Sequence, residues 1–355
     1  MNKSKNIICL AIISLGLFGG AGFASAAAQI TNTGGAFVHN GIVTIAGSGF
    51  GTKAIAAPLW WDDAETGTVA ANYNSVIGNN VYATGPNQIS AVSTRFLQFE
   101  SFANYGTRWA SKPVGQTLNH TIAFFKWKWD PNFTFDTSGG TGNEKIFMWG
   151  DNWDGAPPNF ALDARHELNK IYLGNLSPET SWGNFSALKD KWYDFKVILD
   201  IDYNNGVYGA NGSAYIYMDN VLISSGTGLR FADTNAPGIQ EPHIGGWVGA
   251  AAAGGATGRP DDITYADNIY IDNTWARAEI GNAPTLAAST IREVQIPLAW
   301  SDTSITITIN QGNLEIQNNA YLYVFDANGN VNANGYLLTT PDTAPPSAPT
   351  GLAVN

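Results

Sequence analysis

Between residues 192 and 202 the chain reads WYDFKVILDID, and this alternation is its strongest structural constraint. Successive side chains of an extended strand point to opposite faces. Tyr193, Phe195, Val197, Leu199 and Ile201 therefore share one side, and Asp194, Lys196, Ile198, Asp200 and Asp202 the other. The run TIAFFKWKW over 121–129 behaves alike, with Phe125, Trp127 and Trp129 on one face and Lys126 and Lys128 on the opposite one. Further short runs, EKIFMW (144–149), AYIYMDNVLIS (214–224) and YADNIYID (265–272), are separated by Gly, Asn, Asp and Pro. Helical periodicity is almost absent. The pattern predicts an all-β sandwich with Trp127 and Trp129 in its core.

The N-terminus sets the expected compartment. Lys3 and Lys5 precede an apolar run from Ile7 to Phe18, and Ala24-Ser25-Ala26 supplies a small-residue cleavage site. Residues 1–26 thus read as a secretory signal peptide, with a run too short to span a bilayer. The expected setting is extracellular or on a cell surface. The only cysteine, Cys9, lies inside that peptide, so the mature chain is expected to hold together without disulfides. The net charge is −11, charged residues make up only 13%, and no basic stripe is visible. Nucleic acid and acidic membrane surfaces are poor partners for such a chain.

Two resemblances organise the rest. KWYDFKVILDIDYNNG followed by GSAYIYMDNVLISSG resembles the paired strands of concanavalin A-like jelly rolls, the group that includes LamG and polysaccharide-lyase-like domains. PLWWDDAETGT and YADNIYIDN resemble the first and last strands of such domains, which often lie side by side. This likeness covers 57–275. On the flanks, GIVTIAGSGFGTK (41–53) resembles the first hairpin of IPT/TIG domains, an immunoglobulin-like group in secreted bacterial proteins. AWSDTSITITINQGNLEIQNNAYLYVFDANGNVN resembles the later strands of the same group. Gly47, Gly49 and Gly51 suit positive-φ or close-approach positions of a bulged turn. Val43, Ile45 and Phe50 suit core positions on one sheet, and Ile305, Ile307 and Ile309 alternate on another strand. The expected organisation is a jelly roll (57–275) inserted into a split immunoglobulin-type domain (29–55 with 276–338), followed by a Pro-rich tail (339–355). The tail ends PPSAPTGLAVN, which resembles the start of a fibronectin type III domain.

Chemistry is harder to read. Retaining glycoside hydrolases on this fold carry two carboxylates on one strand face, about 5–5.5 Å apart. Asp200 and Asp202 have that spacing, but they sit at a strand end beside a turn. A polysaccharide lyase needs a cation to neutralise a uronate carboxylate and a Tyr or His to take the α-proton. LDARHELNKIYLG (162–174) offers that mixture, with Arg165, His166 and Tyr172 as candidate catalytic residues and Asp163, Lys170, His120 and Arg95 as neighbours. The lyase patterns R-x-E-x-R and Q-I-H are absent, and the ordinary reading of an Arg/His pair is a solvated strand face.

Asp62, Asp63 and Glu65 open the jelly roll, and Asp267 and Asp272 close it. Adjacent terminal strands would bring these oxygens together as a structural Ca²⁺ site, against the plain alternative of turn-forming acids. For glycans, aromatic faces stack on sugar rings. Trp60, Trp61, Trp109 and Trp149 are possible platforms, but Trp153, Trp182 and Trp247, in turn-rich contexts, are the preferred ligand contacts, with Arg165 and Lys126 as polar partners. The expected function is non-catalytic recognition of a polysaccharide or surface glycan. The alternatives are a polysaccharide lyase or glycoside hydrolase on the same jelly roll, and a structural surface module.

Overall fold

A computed structural model describes residues 27–100, 107–133, 145–150, 160–164, 170–174, 180–184, 187–231, 238–247, 262–316 and 319–338. The fold is all-β: a large jelly-roll sandwich and a smaller second sandwich, with one four-residue helix among the described residues, Val69–Asn72, capped by Thr68.

One jelly-roll sheet orders its strands Val221–Leu229, Gly212–Met218, Trp192–Asp200, His120–Trp129, Thr264–Asp272, Phe96–Phe99 and Val81–Ala83, with Trp60–Asp62 also pairing on Thr264–Asp272. The first and last strands of the jelly roll are therefore neighbours, with Trp60 opposite Ile271 and Asp62 opposite Ile269. The other sheet runs Thr180–Asn184, Lys170–Gly174, Phe160–Ala164, Lys145–Gly150, Glu241–Trp247, Thr107–Ser111 and Ser75–Ile77.

The alternating strands place their apolar sides between these sheets. Phe125 stacks on its strand neighbour Phe195 at 5.4 Å and on Phe147 of the facing sheet at 5.3 Å. Trp127 and Trp129 are fully buried beside them, as are Tyr193, Val197, Leu199, Trp149 and Phe160. Burying whole Trp and Phe side chains is a large hydrophobic gain, so this cluster dominates the sandwich's stability. Trp60 and Trp149 are core residues as well, which removes them as sugar platforms.

The second sandwich joins segments from both flanks. One sheet orders Gln29–Gly35, Ile42–Ser48, Ser304–Thr308 and Ile296–Trp300; the other orders Arg292–Val294, Arg277–Gly281, Ala320–Phe325 and Tyr336–Leu338. Val43 lies opposite Ile307 and Ile45 opposite Ile305. These four residues, Phe50, Ile280, Leu322 and Val324 form a separate buried core. Gly49 and Gly51 take φ of 71° and 70°, a region that costs any residue with a Cβ. Gly47 is required for a different reason: a Cβ there would sit 2.0 Å from the Gln29 carbonyl oxygen.

The two sandwiches meet across the outer face of the jelly-roll sheet that carries Lys126, Asp194 and Lys196. This corrects the expected role of Lys126. Its side chain is 3% exposed and pairs with both Asp194 and Glu293, the latter at 2.9 Å from the second sandwich. A lysine paired with two carboxylates and closed off from solvent in the seam is out of reach of a glycan. Arg292 donates to the Asn220 side chain at 2.7 and 2.9 Å, and Asn268 donates to Asn310 at 3.3 Å. A cavity of about 30 Å³, roughly water-sized, lies among Lys126, Asp194, Lys196, Glu279, Arg292 and Glu293.

Candidate functional site

One large jelly-roll face is turned to the second sandwich, and the outer side of the other sheet carries a second polar cluster, itself buried. The strand that carries it is Glu241–Trp247, EPHIGGW, fifth of the seven in that sheet. Ile244 points into the sandwich core, so Glu241, His243 and Gly245 belong to the outer face. His243 lies opposite Ser111 on one neighbouring strand and Met148 on the other, and Gly245 lies opposite Trp109. Gly245 has φ of 86°, and a Cβ there would approach the Arg108 carbonyl oxygen to 2.7 Å. At Gly246 a Cβ would meet the Lys145 Cβ at 2.4 Å. The paired glycines after His243 thus let three strands close tightly around the histidine.

The resulting cluster is polar and buried. The Ser111 hydroxyl donates to Glu241 Oε1, and the same oxygen lies 4.0 Å from His243 Nε2. The Trp109 and His243 rings meet edge to face at 5.7 Å. Met148, Ala161 and Trp109 form an apolar patch beside them, packed by Ile77. Burial pushes the His243 imidazole down to about 4, so it is neutral at ordinary pH. Burying a carboxylate and an imidazole costs free energy that apolar residues would not, and such clusters concentrate at functional sites. A neutral imidazole can accept a proton, and Glu241 is placed to stabilise the imidazolium that would form.

Sequence reasoning missed His243 and Glu241. The available signal was their i, i+2 spacing, which puts an acid and an imidazole on one strand face, followed by two glycines. Trp109 is one of several tryptophans that the sequence offers as platforms.

The residues expected from sequence that the structure describes lie at several places in the fold. Tyr172 lies opposite Asp163 in strand register, two sheet positions from the strand that pairs with His243. Trp182 belongs to the edge strand Thr180–Asn184, and Trp247 lies opposite Thr107. Arg165, His166 and Trp153 fall outside the described residues. His120 does not join this face: it sits on the other sheet, its Nδ1 2.7 Å from Asp200, which also accepts from Ser213. Asp202 accepts from the Asn211 side chain at a turn, so Asp200 and Asp202 serve different local partners. Arg95 donates to the carbonyl oxygens of Glu65 and Gly67.

The five expected calcium ligands each have protein partners, while Asp63 and Glu65 lie near enough to Asp267 for their charge to help raise its carboxyl. Asp62 accepts from the Ala64 N–H and the Tyr82 hydroxyl, Asp63 from the Glu65 N–H, and Glu65 from the Thr94 and Arg95 N–H groups. Asp267 accepts from Ser93 and from the Asn268 N–H, while Asp272 pairs with Lys53 at 2.6 Å. Among the described residues no group of three or more His, Cys, Asp or Glu side chains is arranged to hold a metal ion.

No protein-family model matches this chain, and no curated protein matches it. Among solved structures, an endo-β-1,4-glucuronan lyase from the fungus Trichoderma reesei is 14% identical, with 62% of this chain and 97% of that one covered and a TM-score of 0.44. An alginate lyase from Aplysia kurodai is 14% identical over 61% of this chain and all of its own, at a TM-score of 0.42. The alginate lyase Aly36B is 14% identical over 62% and 98%, also at 0.42. At this level the likeness assigns no residue of this chain a role.

Proposed function

We propose that this protein acts on an acidic polysaccharide as a lyase, with His243 as the proton-accepting group on the outer face of the Glu241–Trp247 sheet. The observation that supports it is the buried polar cluster itself: a neutral imidazole, a carboxylate 4.0 Å away, and a serine hydroxyl bonded to that carboxylate. β-Elimination in a uronate polymer removes the proton α to a carboxylate, which calls for a side chain with a free lone pair to accept it. Glu241, 4.0 Å from Nε2, then offsets the charge that the imidazole gains. A secreted or cell-surface setting belongs to the same proposal, as does the IPT/TIG-like reading of the small sandwich.

One observation favours a second reading. His243 is only 1% exposed, so a polymer has no open path to the imidazole, whereas recognition by another surface of the jelly roll needs none. Both readings are tested by incubating the purified chain with alginate, glucuronan and pectin while following the absorbance of unsaturated uronates and, separately, polymer binding. Turnover that falls about 10²–10⁴-fold in His243→Ala, with binding retained, supports the lyase. Binding without turnover moves the function to recognition. Neither binding nor turnover on any of these polymers removes both readings.

A further inference from the structure

Lys53 follows the early hairpin of the second sandwich, and Asp272 is the final residue of the last jelly-roll strand. The two are 219 residues apart in sequence, and Nζ lies 2.6 Å from Oδ2. Both side chains are 2% exposed. Their surroundings are aromatic and poor in water: Nζ is 5.9 Å from the Trp300 ring centroid, and its other contact is the Ala56 carbonyl oxygen at 2.8 Å. The carboxyl group is held from both ends. The buried Tyr270 hydroxyl donates to Oδ2 at 2.8 Å, and the Asn273 N–H donates to Oδ1 at 2.9 Å.

We propose that Lys53 and Asp272 condense spontaneously to a side-chain amide, so that the mature protein carries an internal covalent cross-link at the junction of its two sandwiches. The atoms needed are all in place. From the ion pair, one proton passes from Nζ to Oδ2, giving a neutral amine and a neutral acid. The Nζ lone pair attacks Cγ, with the developing charge on Oδ1 stabilised by the Asn273 N–H. A second proton leaves nitrogen for Oδ2, the Cγ–Oδ2 bond breaks, and water departs. Tyr270, donating to Oδ2, assists that oxygen as a leaving group. No oxidant, reductant or added cofactor enters the balance.

Electrostatics favour the reactive forms. Burial pushes the Lys53 amine down against the opposing pull of Asp272, and burial pushes the Asp272 carboxyl up against the pull of Lys53 and Tyr270. In bulk water an amine and a carboxylic acid stay ionised and do not condense. Here each charged form is disfavoured, and the pair is held in contact, which replaces a bimolecular encounter with an intramolecular one. The position has a structural consequence. A bond between these side chains closes the chain around the whole jelly roll and fixes both connections to the second sandwich, limiting the unfolded chain as any cross-link does.

The test is mass spectrometry of the full chain, denatured and then digested with trypsin. The expected result is an intact mass lower by one water, together with a branched peptide joining the Lys53 and Asp272 segments and no cleavage after Lys53. Lys53→Met and Asp272→Ala should each restore the uncondensed mass, and Tyr270→Phe should lower the cross-linked fraction. The wild-type reading decides the matter even if a variant fails to fold. Linear peptides and an unreduced mass after prolonged incubation overturn the proposal. A water loss whose fragments place a ring at Asp272–Asn273 alone also overturns it.

Discussion

Lys126 Nζ and Glu293 Oε1 stand 2.9 Å apart across the seam between the two sandwiches, both almost wholly removed from solvent. Asp194 holds the same lysine from its own sheet. Burial alone would lower the lysine's pKa, but the two carboxylates raise it overall, so Lys126 stays charged. The jelly roll and the small sandwich are therefore joined by buried charge as well as by apolar contact. A charge buried with its partner removed is expensive.

Lys126→Met leaves Glu293 and Asp194 without their cation and should cost about 3–5 kcal/mol in a denaturant titration at neutral pH. Adding Glu293→Gln to that variant should recover part of the loss, because the buried carboxylate is gone. Additive losses in the double variant would show that the two residues do not interact. The expected signature is coupling.

The early hairpin offers a sharper steric test. A Cβ at Gly47 would sit 2.0 Å from the Gln29 carbonyl oxygen and 2.5 Å from Phe50 Cζ. Backbone cannot yield to a methyl group as a flexible side chain can. Gly47→Ala should destabilise by about 1–3 kcal/mol. Gly34→Ala, in the adjoining strand with open space around it, should be close to neutral. Equal effects at the two positions would contradict the close approach.

Period-two alternation made much of the fold legible. It separated Phe125, Trp127 and Trp129 from Lys126 and Lys128, and the structure puts the first three in the core. The alternation cannot say what covers a polar strand face. Lys126 reads equally well as solvated, ligand-facing or docked on another sandwich, and only the Glu293 contact decides. The carboxylates at the jelly-roll ends show the same limit. Strand adjacency follows from pattern, but each acid's donors come from loops, such as Thr94 for Glu65 and Lys53 for Asp272. His243 escaped notice because its partner Ser111 is remote in sequence. A strand of seven residues broken by two glycines also gives only a weak periodic signal.

Trp127 tests how much of the jelly roll depends on its aromatic centre. The side chain is fully buried, 5.6 Å from Phe99 and 6.3 Å from Trp129, measured between ring centroids. Trp127→Ala removes more volume than neighbouring rings can refill and should cost about 3–5 kcal/mol, read from the denaturant midpoint. Trp127→Phe should lose clearly less. Similar stability for the wild type and Trp127→Ala would place the ring outside the cooperative core.

Lys196 gives the seam a pH dependence with a defined sign. It lies among Glu279, Arg277 and Arg292, over the rings of Tyr217 and Phe124. Burial pushes its amine down to about 7; Glu279 opposes the shift, and the two arginines reinforce it. In the unfolded chain a lysine titrates near about 10.4. Between these values the unfolded state holds a proton that the folded state lacks, so stability rises with pH there and is lost as pH falls. Glu293 acts in a lower window. Burial raises it to about 7 against the pull of Lys126, so its contribution falls as pH climbs from the ordinary glutamate range toward neutrality. Unfolding midpoints of the wild type should therefore increase from neutral pH toward pH 10, and Lys196→Met should remove that increase while leaving the acid-side change from Glu293. An unchanged alkaline slope in Lys196→Met would show that the lysine is charged and solvated in the folded protein.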